Sequence, residues 1–277
     1  MSTTEAIPHP YDWSSDAESG DGPPLKLNGA LPVPLPRFHP TSNYREIRTR
    51  LNHNSRRGTI MAVSGPVGVG KTHAVAQAVR ETEQRAVWVQ MSTSLSARGH
   101  MADIWRSLTG TPAVGDLRDT RDDIHDYLNR NDVVLAMDDA HFITASGLRT
   151  LVVIYNEIHK DRGRGVPMVL IGNGLLTKLG CVPEVLSRVG PKWRATPLNG
   201  DALLAALTTI EPRIAATDAD MVNDIDRRYL KGELRQWVEF IEAVRPQPTY
   251  AATDDGPITA KQASIALSLL GYITSNS

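Results

Sequence analysis

Eight consecutive residues, Gly65-Pro66-Val67-Gly68-Val69-Gly70-Lys71-Thr72, limit what this chain can fold into more than any other stretch. Glycine stands first and sixth, then lysine, then a hydroxyl residue, which is the spacing of a phosphate-binding loop. The flanks agree with it. The apolar run at 60–64 predicts a short buried strand entering the loop, and residues 73–80 predict the helix that leaves it. Glycines let the backbone curl so that successive N–H groups converge on phosphate oxygens. The helix N-terminus adds partial positive charge behind them. Lys71 is placed to reach the terminal phosphates and the Thr72 hydroxyl to hold Mg²⁺. The expected ligands are therefore a nucleoside triphosphate and Mg²⁺.

The rest of the composition sets bounds. A chain of 277 residues can bury a sizeable core as one or two domains. Its net charge of −1 means that any contact with nucleic acid needs a local basic patch. Cys181 is the only cysteine, so no internal disulfide can form and a reducing compartment is expected. No apolar run approaches the roughly 18 residues that span a bilayer, and the N-terminus lacks the basic start and apolar core of a secretion signal. The expectation is a soluble, cytoplasmic protein without a membrane partner.

Residues 1–40 carry Pro8, Pro10, Pro23, Pro24, Pro32, Pro34, Pro36 and Pro40, which leaves little room for helix or central strand and predicts an extended or disordered arm. A short helix is expected at 42–53. Strands and helices then alternate: strands at 86–90, 133–137, 168–171 and 193–198, the last near a sheet edge because of Pro197, and helices at 97–108, 117–129 and 146–160, the last capped by Ser146. Continuous apolar strands alternating with helices predict a parallel sheet covered on both faces. From residue 199 onward the pattern is helical only, at 201–210, 218–230 and 232–244, with a last helix at 259–270. The expected organisation is an arm (1–40), a nucleotide-binding core (41–199), a helical lid (200–246) and a linker with a C-terminal helix (247–277).

Nucleotide hydrolysis needs a second acidic element. The third strand ends in Asp138-Asp139, where Asp138 can bind Mg²⁺ through its water shell and Asp139 can orient and activate a water. Here the chain resembles the AAA+ ATPases: residues 65–72 are similar to the family's Walker A motif and Leu135-Ala136-Met137-Asp138-Asp139 to its Walker B. The resemblance implies a P-loop NTPase of the AAA+ type, with a three-layer α/β core, a five-stranded parallel sheet and a small helical lid. Asn173 matches the sensor-1 residue, and Arg188 stands where the family places its arginine finger, with Lys192 and Arg194 as rivals. Gly232-Glu233-Leu234-Arg235 resembles sensor 2, making Arg235 the lid's contact to ATP. One departure is Asp139, where the family usually has glutamate. Aspartate is one methylene shorter, which implies a less direct reach to the water and slow hydrolysis. A finger acting on the neighbour's ATP implies an oligomer.

Within the family, the compact layout resembles the transposition ATPases Mu B, TniB, TnsC and the IstB-type helpers, and His39-Pro40-Thr41 and the Asp-Asp-Ala-His ending resemble TniB-like chains. This implies assembly on double-stranded DNA as a ring or helical filament, with a transposase as partner. DNA contact is expected from two stretches, one carrying Arg98 and His100, the other Lys160, Arg162 and Arg164, and few base-edge readers predict sequence-tolerant binding. Two alternatives stay open: an AAA+ ATPase acting on protein partners of the secretion or signalling type, and a replication-initiation or helicase-loading ATPase.

Overall fold

A computed structural model describes residues 37–82, 84–245 and 256–273. Nearly all of the expected N-terminal arm and most of the expected linker before the last helix lie outside these residues. Five strands, β1 (Ile60–Ser64), β2 (Arg85–Gln90), β3 (Val133–Asp138), β4 (Met168–Gly172) and β5 (Val189–Arg194), form one sheet in the order β2-β3-β4-β1-β5. Every pairing is parallel.

The sheet is covered on both faces, as the continuous apolar strands predict. Side chains alternate along a strand, so in β1 Ile60 and Ala62 join one apolar cluster while Met61 and Val63 join the other. One cluster is closed by α1 (Ser42–Arg57) and α2 (Lys71–Arg80). The other is closed by α3 (Ala97–Thr109), α4 (Leu117–Arg130) and α5 (Ala145–Arg162). The result is the expected three-layer α/β core of the P-loop type.

Three details differ from the sequence expectation. First, β5 begins at Val189 and ends before Pro197. Its ladder to β1 runs from Ile60↔Val189 to Ser64↔Arg194 with a register shift that accommodates Pro191. The strand is still an edge, where a missing N–H costs no ladder bond. Second, α5 is capped by Thr144, whose hydroxyl accepts from the Gly147 N–H at 3.2 Å, rather than by Ser146. Third, two short helices, α6 (Leu175–Gly180) and α7 (Pro183–Leu186), carry the chain from β4 to β5.

A third apolar cluster follows the sheet. It joins α8 (Gly200–Ile210), α9 (Ala219–Ile225), which continues into a π turn at Asp226–Leu230, and α10 (Leu234–Val244), around Leu207, Leu230, Trp237 and Phe240. The last helix, α11 (Ala260–Leu269), starts from a capping box of Thr259 with Gln262 and places Ala263, Ala266 and Leu267 in the same cluster. No described helix is long and apolar enough to cross a membrane. Because all five strands run the same way, Ser64, Gln90, Asp138 and Gly172 come out on one edge, where open parallel sheets bind ligands.

Candidate active site

The loop after β1 is held by backbone contacts that side chains would block. A Cβ at Gly65 would stand 2.4 Å from the carbonyl oxygen of Ala195. Gly68 and Gly70 have φ of 82° and 83°, in the left-handed region that favours glycine. Lys71 opens α2 and is 8% exposed, and its ammonium donates to the Pro66 carbonyl across the loop. Burial pushes the Lys71 ammonium below its ordinary value, against the pull of the Asp138 charge.

Asp138, 7% exposed, is the last residue of β3. Its Oδ1 accepts from the Thr72 hydroxyl at 3.3 Å and from the Asp139 N–H at 2.9 Å. Burial pushes its carboxyl up, the Asp139 charge adds to that, and these two hydrogen bonds oppose it. A hydroxyl and a hard carboxylate oxygen side by side form a donor set that suits Mg²⁺, whose charge would relieve the buried acid. The residues present therefore fit the ion that the loop implies.

Asp139 leaves the strand with φ 52°. Its carboxylate lies between two neighbours: Gln90 Nε2 donates to Oδ2 at 2.7 Å, and His141 Nδ1 stands 3.7 Å from Oδ1. The sequence alone assigns neither residue a role. The signal for Gln90 is the parallel register, which sets Gln90 opposite Asp138.

Asn173 is exposed and directly follows β4, which lies between β3 and β1, so it stands between the acidic pair and the phosphate loop. Arg235 reaches the loop from α10: its backbone N–H donates to the Gly68 carbonyl at 3.2 Å. Its charge also helps lower the Lys71 ammonium. Glu233 and Leu234 press on the same loop, since a Cβ at Gly68 would meet Glu233 Oε2 at 3.1 Å and one at Gly70 would meet Leu234 Cδ1 at 3.3 Å. Residues 65–72, Asp138, Asp139, Asn173 and Arg235 thus converge on one edge. Arg188 does not join them. It is exposed just before β5, at the opposite end of the sheet from the loop.

The expected DNA contacts do not form one surface. His100 is fully buried, and its Nε2 accepts from the Thr144 N–H at 3.1 Å, which corrects its reading as a DNA contact. The reason is helical phase: α3 starts at Ala97, and its inward face carries Ala97, His100, Met101, Ile104 and Leu108. Arg98 is exposed, with its guanidinium donating to the Gly115 carbonyl at 2.6 Å. Arg162 donates to the Leu128 carbonyl at 3.0 Å and Arg164 pairs with Asp132 at 3.0 Å. Only Lys160 of that stretch is exposed without a carboxylate partner among the described residues. The Arg98 stretch follows β2 and the Lys160 stretch precedes β4, so the two lie at opposite ends of the sheet.

Residues 53–179 match a family model described as an AAA domain. No curated protein matches the chain. Among solved structures, the Orc1 protein of Aeropyrum pernix in complex with DNA superposes with a TM-score of 0.62 at 16% identity, covering 85% of this chain and 66% of that one. The Cdc6p protein of Pyrobaculum aerophilum gives 0.58 at 18% identity, covering 78% of this chain and 62% of that one. Domain III of the Thermotoga maritima replication initiation protein DnaA gives 0.55 at 18% identity, covering 83% and 92%. The chain thus spans less than two thirds of the length of Orc1 and Cdc6p. Phosphate loop, strand order and acidic strand end agree: the chain has the AAA+ form of the P-loop NTPase fold, and its residues 53–179 match the AAA-domain model.

Proposed function

We propose that this protein is an ATP-hydrolysing, sequence-tolerant DNA-binding factor that oligomerises on DNA and acts in transposition, selecting target sites and activating a transposase. The observation that carries the nucleotide part is the convergence of loop, acidic pair and lid, seen in the Thr72–Asp138 hydrogen bond and the Arg235–Gly68 contact. The loop N–H groups and Lys71 would bind the phosphates. Thr72 and Asp138 would hold Mg²⁺, which when bound supplies charge neutralisation on the phosphates. Asp139 takes the proton of the attacking water, Asn173 positions that water or the terminal phosphate, and Arg235 reports the nucleotide to the lid.

Arg188, remote from its own site, acts on the nucleotide of an adjacent subunit, so activity requires assembly. ATP at the interface then favours the oligomer and hydrolysis loosens it. The DNA part draws support from the neighbours, one of which is named as a complex with DNA and one as a replication initiation protein. The same similarity favours a second reading, replication initiation or helicase loading.

The test is binding to duplex DNA of mixed sequence at moderate salt, with a non-hydrolysable ATP analogue, with ADP and without nucleotide, read by sedimentation and negative-stain imaging. Regular assemblies on DNA with the analogue alone are expected. No binding in any state would overturn the DNA reading and favour an AAA+ protein that acts on protein partners. Strict dependence on one DNA sequence would favour the replication-initiation reading.

A further inference from the structure

The buried and paired state of most of the expected DNA contacts leaves open where a duplex would be gripped. α1 holds a basic surface that no catalytic role uses. It carries Arg45, Arg48, Arg50, His53, Arg56 and Arg57 against a single acid, Glu46. Tyr44, Ile47, Leu51 and Asn54 face inward, so helical spacing puts Arg45, Thr49 and Arg56 along the crest. Arg50, His53 and Arg57 line a cleft of about 540 Å³ between this helix and β5, whose walls also carry Glu46, the partner of Arg50, with Thr49, Gly190 and Pro191.

Some of these charges are already used. Arg48 pairs with Glu81 at 2.9 Å, and Arg50 pairs with Glu46 while its guanidinium lies 4.6 Å from the centre of the Trp193 ring. Lys192 turns its ammonium to the Val189 carbonyl at 2.9 Å. Arg45, Arg56 and Arg57 are exposed, and none has a carboxylate partner among the described residues. The helix dipole accounts for Arg56 and Arg57 in the last turn. It does not account for Arg45, near the N-terminus, where a cation is disfavoured.

We propose that the α1–β5 cleft and its arginine crest form a site for the phosphate backbone of duplex DNA. The inference rests on the DNA-binding reading above and gives that reading a location. Arg45 and Arg56 are eleven residues apart, about 16 Å along the helix. A duplex presents about five phosphates per strand over that length. A peptide suits the cleft less well. Pro191 removes a donor from the β5 edge, which disfavours strand addition, and none of the large exposed apolar side chains lines the cleft. Repetition of the patch in an oligomer would multiply the contacts without requiring a basic protein overall.

The test is the salt dependence of binding to a fluorescent duplex of mixed sequence, in the presence of an ATP analogue. The full chain is compared with a variant carrying Arg45→Glu, Arg56→Glu and Arg57→Glu. A control carries Arg118→Glu, Arg121→Glu and Arg227→Glu, the same change of net charge placed on α4 and beside α9. The cleft variant is expected to lose at least tenfold in affinity at 0.1 M salt, with its log–log salt slope reduced by about one for each phosphate that is no longer neutralised. The control is expected to stay near the parent. An acid at position 45 suits the helix N-terminus, so Arg45→Glu alone serves as a second variant that keeps the fold, with a smaller drop in affinity expected. Equal affinities and slopes in parent and cleft variants would overturn the location and leave the DNA reading standing. Equal drops in cleft variant and control would overturn it too. A parent that binds no DNA overturns both.

Discussion

The side-chain amide of Gln90, at the end of β2, donates to the carboxylate of Asp139, just past the end of β3, at 2.7 Å. A carboxylate oxygen engaged in this way is a weaker proton acceptor for a water molecule. If Asp139 is the base, Gln90→Ala should raise basal ATP turnover by about threefold, the effect of losing a half-exposed hydrogen bond worth about 0.5–1 kcal/mol. Phosphate release measured without DNA checks this. Unchanged turnover would dissociate Gln90 from catalysis, and slower turnover would make its hydrogen bond one that positions Asp139 instead of restraining it.

Asp139→Asn tests the base itself. Asparagine tolerates the φ of 52° that position 139 adopts, so the backbone has no reason to rearrange. The variant should keep its thermal midpoint and its affinity for ATP while turnover falls by about a hundredfold or more. Assemblies formed with ATP should then persist. Normal hydrolysis would place the base elsewhere.

The connection between sheet and lid depends on Gly232. It has φ 72°, and a Cβ there would stand 2.0 Å from the carbonyl oxygen of Leu198, while its own carbonyl accepts from the Leu198 N–H at 3.2 Å. Gly232→Ala should cost about 1–3 kcal/mol through overpacking. It should also weaken nucleotide binding, since Arg235 meets the phosphate loop three residues on. Gly110→Ala is the comparison: φ is 78° but nothing stands near its Cβ, so only backbone strain is added, about 1 kcal/mol. Denaturant unfolding and fluorescent nucleotide titration separate the two. Equal effects would show that strain, not the Leu198 contact, governs the site.

His100 supplies a pH prediction. Burial lowers its folded pKa below the ordinary 6.5, because charging the ring inside α3's inner face is unfavourable. Below pH 6.5 the unfolded chain takes up a proton that the folded protein refuses, so stability is present above that value and falls as the pH drops toward the folded pKa. His100→Gln should be less stable than the parent at pH 7.5 and lose less between pH 7.5 and 5.5. Denaturant midpoints at the two pH values check this, and parallel pH curves would refute it. DNA affinity should be unaffected by the substitution.

Much of the core is legible in the sequence because its signals are local. The phosphate loop is eight adjacent residues, the strands are short apolar runs, and Gly58, Gly110 and Gly163 end three helices in the left-handed conformation that glycine adopts freely. What the sequence by itself determined is therefore a P-loop core with alternating strands and helices, and the order in which its elements appear. Tertiary structure alone decided which distant residues meet. It set Gln90 against Asp139, turned His100 inward, tied Arg162 and Arg164 to Leu128 and Asp132, began β5 four residues earlier than its apolar pattern suggests, and left Arg45, Arg56 and Arg57 without carboxylate partners among the described residues. The physical reason is that helical phase, strand register and charge pairing are settled by contacts between segments far apart in the chain, which no single stretch of sequence contains.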